Sequence, residues 1–143
     1  MGAFDRYFVA TAGVFAAVVI NAAASQAPAS VWDGVYADAQ SKRGEELSKA
    51  GCVSCHGDEL AGSDLAPALQ GDDFRSAWAG RTVAELFEKI QTTMPADRAG
   101  TLKPQQSADL VAYMFKINEY PAGATELASD MAALQQIKIS SKK

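Results

Sequence analysis

Cys52-Val53-Ser54-Cys55-His56 holds both cysteines and the one histidine of a 143-residue chain. A Cys-x-x-Cys-His run is the attachment motif of a c-type haem, in which two sulfurs add across the porphyrin vinyl groups and the histidine ligates iron. The spacing suits that chemistry. Cys52 and Cys55 are three apart, so one helical turn presents both thiols on one side and leaves His56 to turn its ring to the metal. Other uses of the motif fit less well. A structural zinc site takes four ligands, and the chain supplies three Cys and His unless a carboxylate joins them. A thioredoxin-like pair belongs beside a strand-helix-strand pattern that is not visible here. A plain disulfide leaves His56 without a role.

Upstream, Arg6 precedes an apolar stretch from Tyr7 to Ile20, followed by Asn21 and Ala22-Ala23-Ala24 ahead of Ser25. A charged start, an apolar middle and a small-residue end read as a secretory signal over residues 1–24, removed from the mature protein. The alternative is a retained single anchor, because the apolar run approaches the lower limit for spanning a bilayer. Covalent haem attachment takes place outside the bacterial cytoplasm, so signal and motif support each other. The expected address is the periplasm, or the periplasmic face of the inner membrane if the segment is kept. Residues 25–30 form a short linker, 31–128 the haem domain and 129–143 a tail packed on it.

That is the size of one small domain, and a porphyrin would supply much of its core. Thirteen Lys and Arg against seventeen Asp and Glu give a net charge of −4, which argues against nucleic acid and anionic membrane surfaces as partners.

Downstream the pattern is helical, punctuated by Gly and Pro, with no alternation long enough for a sheet, so the fold class is all-α. A first helix from Asp38 to Ala50 delivers the chain into the motif. Gly57 to Gly71 reads as a loop, and Asp72 to Ala79 as a short helix carrying Phe74 and Trp78. Thr82 and Glu85 form a capping box for a helix over Val83 to Thr92 with Leu86, Phe87 and Ile90 on its apolar stripe. Pro95 ends that helix by pushing Met94 into an extended conformation. Pro104 suits the first position of a last core helix running towards Asn118. In the tail, Leu127, Met131 and Leu134 keep helical spacing, while Ile137 and Ile139 alternate around Lys138 like a short strand.

A haem with His56 on one face needs a ligand on the other. Of four methionines, Met1 lies in the signal, Met114 on an apolar stripe and Met131 in the tail. Met94, on a loop and fixed by Pro95, can present a thioether to the open face, although methionines also serve as gap fillers.

With these features in order, the chain resembles class I cytochrome c over nearly all of the mature sequence: Cys52 to His56, then Pro67 with Leu69, then Met94-Pro95. The resemblance implies a small fold with N- and C-terminal helices crossing around one covalent haem c, with Gly44 opposite Leu110 and Tyr113 at the crossing. It also implies that the carbonyl of Pro67 accepts a hydrogen bond from the His56 imidazole. Ser48 departs from the family, which often has an aromatic residue there. More finely, Trp32-Asp33-Gly34-Val35-Tyr36, Phe74, Trp78-Ala79-Gly80, Thr93-Met94-Pro95 and Asn118 with Pro121 and Gly123 look like cytochromes that accompany periplasmic dehydrogenases, quinoprotein alcohol dehydrogenases among them.

The function expected is one-electron transfer, not catalysis: a dehydrogenase as donor, a cytochrome or terminal oxidase as acceptor, and iron held permanently by His56 and Met94. Trp78 is a candidate donor to a haem propionate, or ordinary core. Asp58, Glu59 and Asp64 read as a solvated loop. The competing class is a five-coordinate c-haem enzyme or gas sensor in which Met94 does not ligate iron.

Overall fold

Two fourteen-residue helices, α1 (Asp38–Gly51) and α5 (Pro104–Ile117), cross at Gly44, and the crossing sets the frame for everything else. A Cβ at Gly44 would lie 1.9 Å from the Asp109 carbonyl oxygen and 2.8 Å from Tyr113 Cβ, so no larger residue fits while the backbones stay this close. The contact expected from Gly44, Leu110 and Tyr113 is therefore made chiefly against the Asp109 backbone. Beside it the buried Asp109 carboxylate accepts from Arg43 Nε and Nη2, both at 3.0 Å, and from Gln105 Nε2 at 2.9 Å. The rest of the Arg43 fork reaches Glu126 at 2.9 Å, which ties the crossing to the chain beyond α5.

The computed structural model describes residues 30–141; the signal segment at 1–24 and all but Ser30 of the expected linker lie outside it. Between α1 and α5 come α2 (Val53–His56), α3 (Gly71–Trp78) and α4 (Val83–Thr93), and α6 (Met131–Gln135) follows. Single bridge residues are the only β pairings among the described residues, which makes the fold all-α. No helix among them is long and apolar enough to cross a membrane.

Local chemistry explains the ends of α4 and α5. Thr82 Oγ1 accepts from Glu85 N–H at 3.3 Å while the Glu85 carboxylate accepts from Thr82 N–H at 2.8 Å, the reciprocal capping box read from the sequence. Met94 closes α4 in an extended conformation, φ −118° and ψ 152°, ahead of Pro95. Pro104 opens α5, where its missing N–H costs nothing. Val83, Leu86, Phe87 and Ile90 from α4 meet Val111, Met114 and Phe115 from α5 in the core.

The C-terminal segment goes further into the structure than a tail packed on a finished domain. Leu134, Ile137 and Ile139 are buried members of the same core. The chain from Ile137 to Ile139 threads between the start of the domain and the start of α4. Val31 N–H donates to Lys138 O at 3.0 Å, Val83 N–H to Ile137 O at 3.0 Å and Ile139 N–H to Arg81 O at 2.8 Å. The alternation around exposed Lys138 thus holds, but its partners are one-residue bridges from two sides, so no ladder forms.

Candidate haem-binding site

α1 ends at Gly51, and Cys52 starts a new turn: its N–H donates to Ser48 O at 2.8 Å while its carbonyl accepts from His56 N–H at 2.9 Å. The motif is therefore wound as α2, a single helical turn delivered by the crossing helix. Both cysteines are free thiols, Cys52 half-buried against the core and Cys55 exposed. Burial pushes the Cys52 thiol up, and the Ser48 hydroxyl one turn earlier offsets part of that push.

His56 is 8% exposed, and its Nδ1 lies 2.7 Å from Pro67 O. A carbonyl oxygen cannot donate, so Nδ1 carries a proton, and in the neutral ring that leaves the Nε2 lone pair for a metal. The hydrogen bond that fixes a metal-binding imidazole is in place.

The loop bearing Pro67 is held from several sides. Gly62 N–H donates to His56 O at 2.8 Å, Leu69 N–H to Leu60 O at 2.8 Å, and the Ser63 hydroxyl to Cys55 O. Gly62 has φ +91°, and a Cβ there would sit 2.8 Å from Ala68 N, so this close return of the loop requires glycine. The remaining tie comes from Asn118, 1% exposed at the end of α5, whose amide donates to Leu69 O at 2.9 Å and to Met114 O at 2.8 Å. Asn118 stood out in the sequence beside Pro121 and Gly123, but its task of pinning the histidine-side loop was not visible there.

Met94, Leu69, Trp78 and Leu102 are partly buried apolar residues packed on the core, as is Cys52. Trp78 lies 6.3 Å from Phe74, ring centre to ring centre, and carries the Arg81 guanidinium 4.4 Å over its face. Two thiols at one turn's spacing, an imidazole with Nε2 available, a loop thioether and half-covered apolar side chains are the donor set and surroundings that a covalent haem needs. Among the described residues no group of three or more His, Cys, Asp or Glu could hold a metal ion, so no carboxylate completes the zinc alternative.

The family profile described as "Cytochrome C oxidase, cbb3-type, subunit III" matches residues 39–114, from the first turn of α1 into the last turn of α5. A search of curated proteins finds no match. Among solved structures, the "Crystal Structure of the Sulfane Dehydrogenase SoxCD from Paracoccus pantotrophus" is similar over 76% of this chain and 61% of that one, with 20% identity and a TM-score of 0.48. The chain thus spans less than two thirds of that structure's chain.

Proposed function

This chain belongs to the family described as cytochrome c oxidase, cbb3-type, subunit III, and on that footing we propose that it is a periplasmic one-electron carrier with one haem c joined through Cys52 and Cys55 and ligated by His56 and Met94. The haem supplies reversible one-electron exchange, with iron alternating between ferrous and ferric states. The observation that carries the reading is the His56 Nδ1 to Pro67 O hydrogen bond at 2.7 Å in a motif turn with both thiols free.

The residues divide the work. Pro67 O fixes the imidazole plane and raises its basicity. Asn118, through Leu69, keeps that carbonyl in place. Met94 would offer the iron a soft sulfur, which would favour the ferrous state and leave no open position for oxygen or peroxide. Exposed Cys55 marks the side of the motif that reaches solvent, where a partner can approach. A periplasmic dehydrogenase is the proposed donor and a cytochrome or terminal oxidase the proposed acceptor, supported by the sequence resemblance from Trp32 to Gly123. Encounters of this kind bury little surface, below about 1,200 Å², so that release does not limit turnover. The segment 1–24 supports export, and N-terminal sequencing of the protein from fractionated cells tests it.

The deciding experiment is spectroscopic. The purified protein is expected to carry one haem adduct by mass, and its ferric form a sulfur-to-iron charge-transfer band that disappears in Met94→Ala. Rapid binding of carbon monoxide by the unmutated ferrous protein would refute six-coordination, and absence of covalent haem would refute the whole reading.

A further inference from the structure

Between Thr93 at the end of α4 and Pro104 at the start of α5, the chain runs as a loop with Met94 at its first position. Residues 96–101 are exposed, and the loop bonds mainly to itself: Arg98 N–H donates to Pro95 O at 2.9 Å and the Thr101 hydroxyl to Arg98 O at 2.7 Å. From Pro95 to Leu102, the hydrogen bond that reaches another element is the one from Gln91 Nε2 to Leu102 O. Gln91 stands on α4 three residues before Met94, one turn back on the same face. Leu102 and Met94, the two ends so joined, are both half-buried against the core.

The other half of the Gln91 carboxamide is buried without a hydrogen-bond partner. An unpaired buried carbonyl costs free energy, which an apolar side chain of similar bulk would avoid. What the amide contributes that leucine could not is the donation to Leu102 O.

We propose that Gln91 is a positioning residue for the sulfur ligand, a clasp that closes the Met94 loop at its base and holds Met94 where it serves the iron. The inference rests on Met94 being the second axial ligand. With the clasp open, no hydrogen bond to another element holds the loop beyond Met94; it is left to the packing of Met94 and Leu102, and Met94 competes less well against an external ligand.

The test compares the haem-loaded full chain with Gln91→Leu, which keeps bulk and helix propensity, and Gln91→Glu, whose side chain can donate only when protonated. One readout is tryptic cleavage after Arg98, which follows loop opening whatever Met94 binds. The other is the affinity of the ferric protein for imidazole, which competes for the face opposite His56. Gln91→Leu is expected to raise both about fivefold, the size of one lost hydrogen bond. Gln91→Glu, ionised at neutral pH and without a donor there, should match Gln91→Leu in both readouts, which keeps the test open should Gln91→Leu fold poorly. Cleavage unchanged in both variants overturns the clasp. Cleavage that rises without any gain in imidazole affinity overturns the positioning of Met94. If the unmutated protein binds imidazole as tightly as Met94→Ala, the axial reading itself has failed, and cleavage alone decides whether the clasp exists.

Discussion

Replacing Gly44 by alanine puts one methyl group between two helix backbones. The new carbon would lie 1.9 Å from Asp109 O, 2.6 Å from Asp109 C and 2.8 Å from Tyr113 Cβ. Two of those atoms are main chain and cannot rotate away, so α1 and α5 must part by about 1 Å or more in an interior with almost no slack. Overpacking of this kind costs about 1–3 kcal/mol, and the rigid obstacle places Gly44→Ala at the upper end. Against it, alanine gains about 1 kcal/mol of helix propensity over glycine. The net loss is about 2 kcal/mol, or roughly 10 °C in the midpoint of a domain this size. The assay is thermal and urea unfolding of the haem-loaded protein followed by far-UV circular dichroism. Gly51→Ala is the control: it lies in the same helix with nothing within 4 Å of its would-be Cβ, and it should be neutral or slightly stabilising. Equal stability of Gly44→Ala and the parent would refute the close crossing, whatever the haem does.

Three further outcomes follow from the same geometry. Asn118→Ala leaves Leu69 O and Met114 O without their side-chain donor, and should cost about 2 kcal/mol in urea unfolding while altering the ferric haem spectrum through the loosened Pro67 loop; a stable variant with an unchanged spectrum would contradict the tie. Burial, with help from the Asp38 carboxylate, pushes the Tyr36 phenol from 10.0 to about 12. The unfolded chain therefore ionises first, and the stability Tyr36 contributes is complete below pH 10 and lost between pH 10 and about 12. Tyr36→Phe, which also loses the 2.7 Å bond to Tyr120 O, should be about 1 kcal/mol less stable at neutral pH and decline less steeply in alkali, as urea midpoints across that range would show. Thr82→Ala removes the cap of α4 and should cost about 1 kcal/mol. Hydrogen bonding to the Thr82 backbone, then to Arg81, holds the Glu85 carboxyl below its ordinary value. The smaller share from the Thr82 hydroxyl, which Thr82→Ala removes, is present at neutral pH and fades as pH falls through the lowered range, so the gap between Thr82→Ala and the parent should narrow in acid.

What the sequence disclosed depended on the distance over which its residues act. Thr82 with Glu85, Pro95 after Met94 and Pro104 at the head of α5 each fix backbone within one turn, and their consequences could be read from the spacing. The histidine motif is local in the same way, being a single turn from Cys52 to His56. Asn118 and Gln40 are different. Gln40 pairs its buried amide with both backbone groups of Leu127, at 2.7 and 2.9 Å, across 87 residues. A carboxamide in a sequence carries no mark of which distant backbone it will meet, because that depends on the completed fold. The segment from Ile137 to Ile139 failed to read as core for the same reason: its alternation announces one buried face but not the two partners that bury it.

The two proposed iron ligands share an architecture that this contrast explains. Each sits just past, or at, a helix end, where the helix fixes the near side of the ligand and an irregular loop must fix the far side. On the histidine side the loop is secured by Asn118, which spends both amide hydrogens, on Leu69 O and Met114 O, in full burial. On the methionine side the loop is secured by Gln91, half-buried, with its amide oxygen unpaired. A carboxamide suits both places because it bonds a backbone carbonyl without bringing in a charge, whose burial beside an apolar cofactor would be costly. Both amide oxygens are buried without a partner, so the difference lies in the donations, two from Asn118 against one from Gln91, and the methionine loop with its single closing bond is the softer one. A carrier that must keep its imidazole fixed while its iron changes charge gains from that order: the face that sets basicity is held by the stronger tie, and any yielding is confined to the sulfur.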